Sequence, residues 1–104
     1  MKRYARRRDA NEAEVIAALQ AAGASVQQLD GDGLPDLLVS FRNELHLVEV
    51  KRVGDDRKRV HAGASGDLAG LTPSQVRWFA RWKGRPPAIV QSALEALRAI
   101  GALS

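Results

Sequence analysis

The sequence predicts a small α/β domain, and two observations lead to this prediction. Residues 35–51 contain two runs rich in strand formers, separated by a short polar break, which is typical of a β-hairpin. In three other segments apolar residues recur at helical spacing, each behind a capping residue. The predicted order is α-β-β-β-α-β-α, with the last strand parallel to its neighbour after a helical crossover. A length of 104 residues is enough for one domain with one core.

The first helix is predicted to start near Asp9 or Asn11 and to end at Ala22. Asp9 is a suitable N-cap, and Glu12 follows three residues later as its capping-box partner. The predicted apolar stripe consists of Val15, Ile16, Leu19 and Ala22. Gly23 stands where helices commonly end. Because Glu12 shares the face of the stripe, two interpretations of it stay open, a helix cap or a site residue.

Three short strands are predicted after this helix. The first covers residues 25–29, and residues 30–33 form a turn with two glycines. Pro35 holds the preceding residue extended and can open a strand without losing a needed hydrogen bond. The second and third strands are predicted over residues 37–41 and 45–50.

The hairpin is predicted to bring three charged side chains together. With Arg42 and Asn43 as its loop, Asp36 falls opposite Glu49. Facing residues have Cβ atoms about 4.5–5.5 Å apart, which suits two carboxylates that share a divalent cation. Lys51 lies two residues after Glu49 and therefore on the same face. Charges seldom enter such apolar strands unless they are paired or bind metal.

The second helix is predicted to open at Thr72 as N-cap, with Pro73 in its first turn and Gln75 completing a capping box. Its predicted inward face consists of Val76, Phe79 and Trp82, with Gly84 ending the helix. Trp78 and Trp82 are interpreted as core or interface anchors rather than as base-stacking platforms.

A last strand and a last helix complete the domain. The strand is predicted over residues 88–91 and is followed by a capping box of Ser92 and Glu95. The final helix is predicted to carry Leu94, Leu97, Arg98 and Ile100. Gly101 is predicted to end it.

Two stretches are strongly basic, a predicted N-terminal arm over residues 1–9 and a predicted flexible loop over residues 54–70. Each has two open interpretations, a solvated segment or one that contacts phosphates. The loop follows the third strand directly and is expected to hang over the site. The cations proposed for DNA contact are Arg6, Arg7, Arg8, Arg57, Lys58 and Arg59.

Composition limits the functional classes. Lys and Arg number 16 against 12 Asp and Glu, a net charge of +4, which favours a polyanionic partner such as nucleic acid. The chain has 0 cysteines, which excludes disulfides and cysteine metal sites. No apolar run approaches the roughly 20 residues of a membrane span, and no signal peptide is recognised. We therefore expect a cytoplasmic protein without membrane contact.

An aspartate followed by Glu-x-Lys on neighbouring strands resembles the PD-(D/E)xK nuclease superfamily. The residues that carry the resemblance are Pro35-Asp36 and Glu49-Val50-Lys51, and Gly33 stands near the place of a glycine common in the family. The resemblance covers nearly the whole chain and is closest to stand-alone VRR-NUC proteins of phages and bacteria. It implies a restriction-endonuclease-like core.

The resemblance also implies a chemistry, namely metal-dependent hydrolysis of phosphodiester bonds in DNA. The implied ligands of Mg²⁺ or Mn²⁺ are Asp36, Glu49, the Val50 carbonyl and, as a further candidate, Glu12. Lys51 would hold the attacking water or stabilise developing negative charge. Gln75, which matches a glutamine of the VRR-NUC type, would orient that water or the phosphate, although capping alone also explains it.

The resemblance further implies a homodimer that acts on branched DNA such as Holliday junctions, in a bacterium or phage-infected cell. The sequence has no Gly-rich phosphate loop, so no nucleotide cofactor is expected. Two alternatives stay open. The first is a non-catalytic nucleic-acid-binding module with the same fold. The second is a protein of another kind, in which Asp36, Glu49 and Lys51 form only a buried ion network.

Overall fold

A computed structural model of the chain describes residues 10–51 and 71–103. They form three helices and a four-stranded mixed sheet in the predicted order. The elements are α1 (Ala10–Ala21), β1 (Ser25–Gln28), β2 (Leu37–Phe41), β3 (Glu44–Val50), α2 (Pro73–Arg81), β4 (Ala88–Val90) and α3 (Ala93–Ala99). The predicted Asp9 cap, the basic arm and the basic loop, with all six of their proposed DNA-contacting cations, lie outside the described residues.

The hairpin of β2 and β3 forms with the predicted register. Arg42 and Asn43 have φ values of 51° and 68°, the left-handed backbone that a two-residue hairpin turn of type I′ requires. Antiparallel pairing runs from Phe41 opposite Glu44 to Leu37 opposite Val48. If this register is continued by one residue, Asp36 faces Glu49.

The sheet has the order β1-β2-β3-β4. β1 is antiparallel to β2, and β4 is parallel to β3 as predicted. α1 and α3 contact each other and the sheet. The core between them contains Val15, Leu19, Leu37, Val39, Phe41, Val48, Val90, Ala96 and Ile100. Because strand side chains alternate between faces, Glu49 and Lys51 lie on the sheet face opposite Val48.

Two positions predicted to lie on apolar inward faces, Ala22 and Trp82, are exposed. The predicted inward face of α2 is half-buried at Val76 and Phe79, but none of that helix's described residues is fully buried and Trp82 is 45% exposed. The helix also ends at Arg81 with Trp82 as C-cap, before Gly84. Ala22, on the predicted stripe of the first helix, is exposed. Helical spacing identifies an apolar stripe, but it does not say whether another element covers that stripe.

No helix in the described part of the chain is long and apolar enough to span a membrane.

Gly33 allows the turn after β1 to lie close to the start of α2. Its φ is +85°, and a Cβ at this position would lie 2.7 Å from the Ser74 carbonyl oxygen. We expect Gly33→Ala to lower the free energy of unfolding by about 1–3 kcal/mol, from backbone strain and this clash together. Chemical denaturation measures the loss.

Gly101→Ala is a matched control, because Gly101 has φ +87° and a Cβ at this position would have nothing within 4 Å. Gly101→Ala should have the backbone strain without the clash, and should therefore lower the free energy of unfolding by less than Gly33→Ala does. An equal loss in the two variants would show that contact with Ser74 does not constrain Gly33.

Candidate active site

Asp36 and Val50 join the two hairpin strands at their open end. The backbone N–H of Val50 donates to Asp36 Oδ2 at 2.8 Å. Asp36 lies just before β2, so its carboxylate supplies an acceptor beyond the last pair of the ladder. In a strand the N–H and C=O of one residue point to the same edge. The Val50 carbonyl therefore points to the Asp36 side, as a ligand shared with Asp36 requires.

Glu49, Lys51 and Gln75 form a contact network of three side chains. The Lys51 ammonium lies 3.3 Å from Glu49 Oε2 and donates to Gln75 Oε1 at 3.1 Å. The Gln75 amide donates to the same Glu49 oxygen at 2.6 Å. The sequence-predicted Glu-x-Lys pair and the candidate glutamine are thus brought together, although 24 residues separate Lys51 from Gln75.

Gln75 is both a helix cap and a neighbour of the acid and the amine. Thr72 is the N-cap of α2, and its side chain accepts from the Gln75 N–H at 3.2 Å. Gln75 Oε1 in turn accepts from the Thr72 N–H at 3.0 Å, so the predicted capping box is confirmed. Since that oxygen also accepts from Lys51, the cap fixes the amide where it reaches Glu49.

Glu49 is the group whose ionisation the site alters most. It is 3% exposed, and burial together with the negative charge of Asp36 raises its pKa to about 7, against the opposing effects of Lys51 and Gln75. Glu49 Oε1 is buried and has no hydrogen-bond partner among the residues that the structure describes. A buried carboxylate with an unsatisfied oxygen is unstable unless a further partner, such as a cation, compensates it.

Glu12 is buried as predicted but has different neighbours. It is 5% exposed, and its Oε2 accepts from the Gln28 amide at 3.3 Å. Within residues 10–51 and 71–103 there is no group of three or more His, Asp or Glu side chains that could hold a metal ion. The structure therefore brings Asp36 and Glu49 together as a pair, without Glu12 as a third member.

Asn11 is a positioning residue that the sequence indicated only as a helix start. Its side-chain amide donates to the carbonyls of Lys51 at 3.0 Å and of Gln91 at 3.1 Å. These bonds fix the start of α1 to the carboxyl ends of β3 and β4, and with them the backbone of Lys51. No local sequence signal distinguishes such an asparagine from an ordinary N-terminal cap.

An open cleft of about 360 Å³ lies beside the network. Its lining consists of Asp30, Gly31, Asp32, Gly33, Leu34, Lys51, Thr72 and Gln75. The turn of residues 30–33 thus forms one wall, and the start of α2 forms the other. Lys51 and Gln75 belong to both the cleft and the network, so a molecule in the cleft can contact both of them.

The acidic pair fits a divalent cation with oxygen ligands. Mg²⁺ is commonly held by one or two carboxylates and keeps several waters, so two acids and one carbonyl suffice. Asp36, Glu49 and the Val50 carbonyl supply these donors at the open end of the hairpin. The unsatisfied Glu49 oxygen and the repulsion between the two acids are both features that a bound cation would relieve.

In comparisons with known proteins, no family model, no curated protein and no solved structure matches the chain.

Proposed function

We propose that the protein is a metal-dependent DNA endonuclease with a restriction-endonuclease-like core of the PD-(D/E)xK type. One observation carries the proposal: the buried Glu49 carboxylate lies beside a second acid and contacts both an amine and an amide at the edge of an open cleft. An amine and an amide that line a cleft and contact a buried acid of raised pKa are features typical of catalytic sites. A structural ion network alone does not require the cleft.

Each residue has a role that its contacts permit. Asp36, Glu49 and the Val50 carbonyl would hold Mg²⁺ or Mn²⁺. When bound, the cation supplies a water of lowered pKa and offsets charge on the phosphate. The Lys51 ammonium would donate to the attacking water or to the oxygens that gain negative charge. The Gln75 amide, held by its cap, would orient the same water or the phosphate. Glu12 stays a candidate for contact through water.

DNA is the proposed substrate because the chain carries a net charge of +4 and attraction to phosphates supplies most non-specific affinity. Branched DNA and a homodimer are part of the proposal. Symmetric cutting of a junction takes two sites related by a two-fold axis. Exposed apolar side chains available for association include Leu45 and Leu103.

A non-catalytic nucleic-acid-binding module is the second candidate. It is favoured by the lack of a three-membered acidic group in the described residues, since a bare pair binds metal more weakly than three acids do.

The test is incubation with a synthetic four-way junction and with linear duplex, in Mg²⁺, Mn²⁺ or EDTA. We expect cutting only with metal and faster cutting of the junction. DNA binding without cutting in any metal supports the module instead. Neither binding nor cutting leaves the buried ion network as the remaining interpretation of Asp36, Glu49 and Lys51.

A further inference from the structure

α2 carries two neighbouring rows of side chains, one aromatic and one basic, and all but the half-buried Trp78 are exposed. Trp78 and Trp82 are four residues apart and stack with ring centroids 4.7 Å apart and planes at 17°. Arg77 and Arg81, also four residues apart, form the neighbouring row, and both are exposed. We refer to these four residues as the aromatic-basic face.

The outer indole of this face is held in place and left partly uncovered. Trp82 Nε1 donates to the Arg85 carbonyl at 3.1 Å, which fixes the ring, yet Trp82 is 45% exposed. A Cβ at Gly84 would lie 3.2 Å from Nε1 and 3.5 Å from Cε2 of this indole. Because position 84 is glycine, no side chain there covers the ring. A rigid, exposed aromatic surface binds a flat partner at little entropic cost.

The charge around this face selects the kind of partner. Residues 71–94 contain no Asp or Glu, and their cations are Arg77, Arg81, Lys83 and Arg85. In a two-fold dimer the same patch meets itself, so self-association here would bring four arginines into one interface without an acid from residues 71–94. A polyanion has the complementary charge, and a nucleic acid adds flat bases to it.

The same helix connects the aromatic-basic face to the candidate active site. Gln75, in the first turn of α2, contacts Glu49 and Lys51, and Trp82 follows seven residues later. This separation is about 10 Å along a helix axis, which a few nucleotides span at about 3.4 Å per step along a strand. Bases inside a duplex are already stacked on each other, whereas unpaired bases can stack on an aromatic side chain.

We propose that the aromatic-basic face binds an unpaired segment of DNA, with a base stacked on Trp82 and phosphates beside Arg77 and Arg81. The choice of DNA rests on the proposed function. A structure-selective enzyme needs a surface that distinguishes unpaired from paired strands, and this surface would place the unpaired segment next to the site.

Intrinsic fluorescence tests the proposal directly, because the chain has 2 tryptophans and both belong to this face. The protein is titrated in EDTA, where no cutting occurs, with an oligothymidylate of about 15 nucleotides and with a blunt duplex of the same length. We expect quenching by the oligothymidylate at lower concentrations than by the duplex. Unchanged tryptophan emission on adding oligothymidylate would overturn the proposal.

Matched variants identify the contacts by the anisotropy of labelled oligothymidylate. Trp82→Ala should weaken binding about ten-fold, whereas Leu94→Ala, which truncates an exposed apolar side chain on α3, should not. Arg81→Gln should weaken binding and flatten its salt dependence by about one phosphate contact, whereas Arg98→Gln on α3 should not. If circular dichroism shows that Trp82→Ala does not fold, the test uses Arg81→Gln and Gly84→Ala instead. The methyl group of Gly84→Ala covers the indole and should therefore weaken binding.

Two results contradict the proposal. One is wild-type affinity in Trp82→Ala and Arg81→Gln. The other is a sedimentation coefficient that falls in Trp82→Ala while oligothymidylate binding stays the same, which identifies the face as a contact between copies. If oligothymidylate binding depends on Trp82 but no DNA is cut, the proposed nuclease function is wrong and the proposed role of this face stands. If DNA is cut with metal but binding does not depend on Trp82, the nuclease function stands and the proposed role of this face is wrong.

Discussion

Lys51→Ala should lower the rate of metal-dependent DNA cleavage about 10²- to 10³-fold, the usual loss when one positioned donor is removed from an active site. The ammonium contacts Glu49 at 3.3 Å and Gln75 at 3.1 Å, and truncation to alanine removes both contacts. Cleavage of a labelled junction under single-turnover conditions in Mg²⁺ measures the rate.

Lys51→Ala should also change the pH dependence of cleavage, through the effect of the amine on Glu49. Lys51 lowers the pKa of Glu49, so its removal should move that pKa further above 7. We therefore expect the residual cleavage to rise with pH over a range shifted to the alkaline side of the wild-type profile. Arg98→Ala is the control for charge, because Arg98 is an exposed cation on α3. Cleavage by Lys51→Ala at the wild-type rate would remove Lys51 from the mechanism.

Glu49→Gln should make the protein more stable than wild type at pH 8 in EDTA. The pKa of Glu49 is about 7 in the folded protein, against 4.5 without the fold. A raised carboxyl pKa contributes stability that is fully present below pH 4.5 and is lost as the pH rises through 7. The loss is roughly 3 kcal/mol in the free energy of unfolding. The amide has the same shape and carries no charge at any of these pH values, so it avoids this loss.

Divalent cations should reverse the order of the two proteins. At a metal concentration about 1,000-fold above the dissociation constant, a cation that binds only the folded state adds about 4.1 kcal/mol, more than the loss of roughly 3 kcal/mol that charged Glu49 causes at pH 8. Wild type should gain this stability at pH 8, and Glu49→Gln should gain little, because it has lost one of two charged ligands. Denaturation with Mg²⁺, with Mn²⁺ and with EDTA at several pH values measures both effects.

Glu44→Gln is the matched control for this experiment, since Glu44 lies on the same strand with its side chain 62% exposed. It should behave as wild type in pH dependence and in its response to metal. The idea of a buried, metal-holding carboxylate fails if Glu49→Gln responds to Mg²⁺ as strongly as wild type does.

The hairpin shows how much of a fold local chemistry can specify. Arg42 and Asn43 have the positive φ that their turn requires, and a two-residue turn leaves only one register for the strands on either side. That register brings Asp36 opposite Glu49 and puts Lys51 on the same face. The capping box of Thr72 and Gln75 was equally predictable, because both of its members lie within one helical turn.

The burial of side chains could not be predicted in the same way. Val76, Phe79 and Trp82 have the spacing of a buried stripe, but α2 buries none of its described residues, whereas α1 does bury Val15 and Leu19. Both helices have apolar residues at helical spacing. The difference lies in what packs against each helix, and this depends on contacts between residues far apart in the chain.

The sequence by itself determined the order of the elements, the hairpin register and the N-caps of α2 and α3, because each depends on residues that are neighbours along the chain. Only the tertiary structure decided that Gln75 reaches Glu49 and Lys51, that Glu12 contacts Gln28 instead of joining the acidic pair, and that Trp82 stays exposed. These outcomes depend on the distances between α1, α2 and the sheet, which packing sets and which no local pattern encodes.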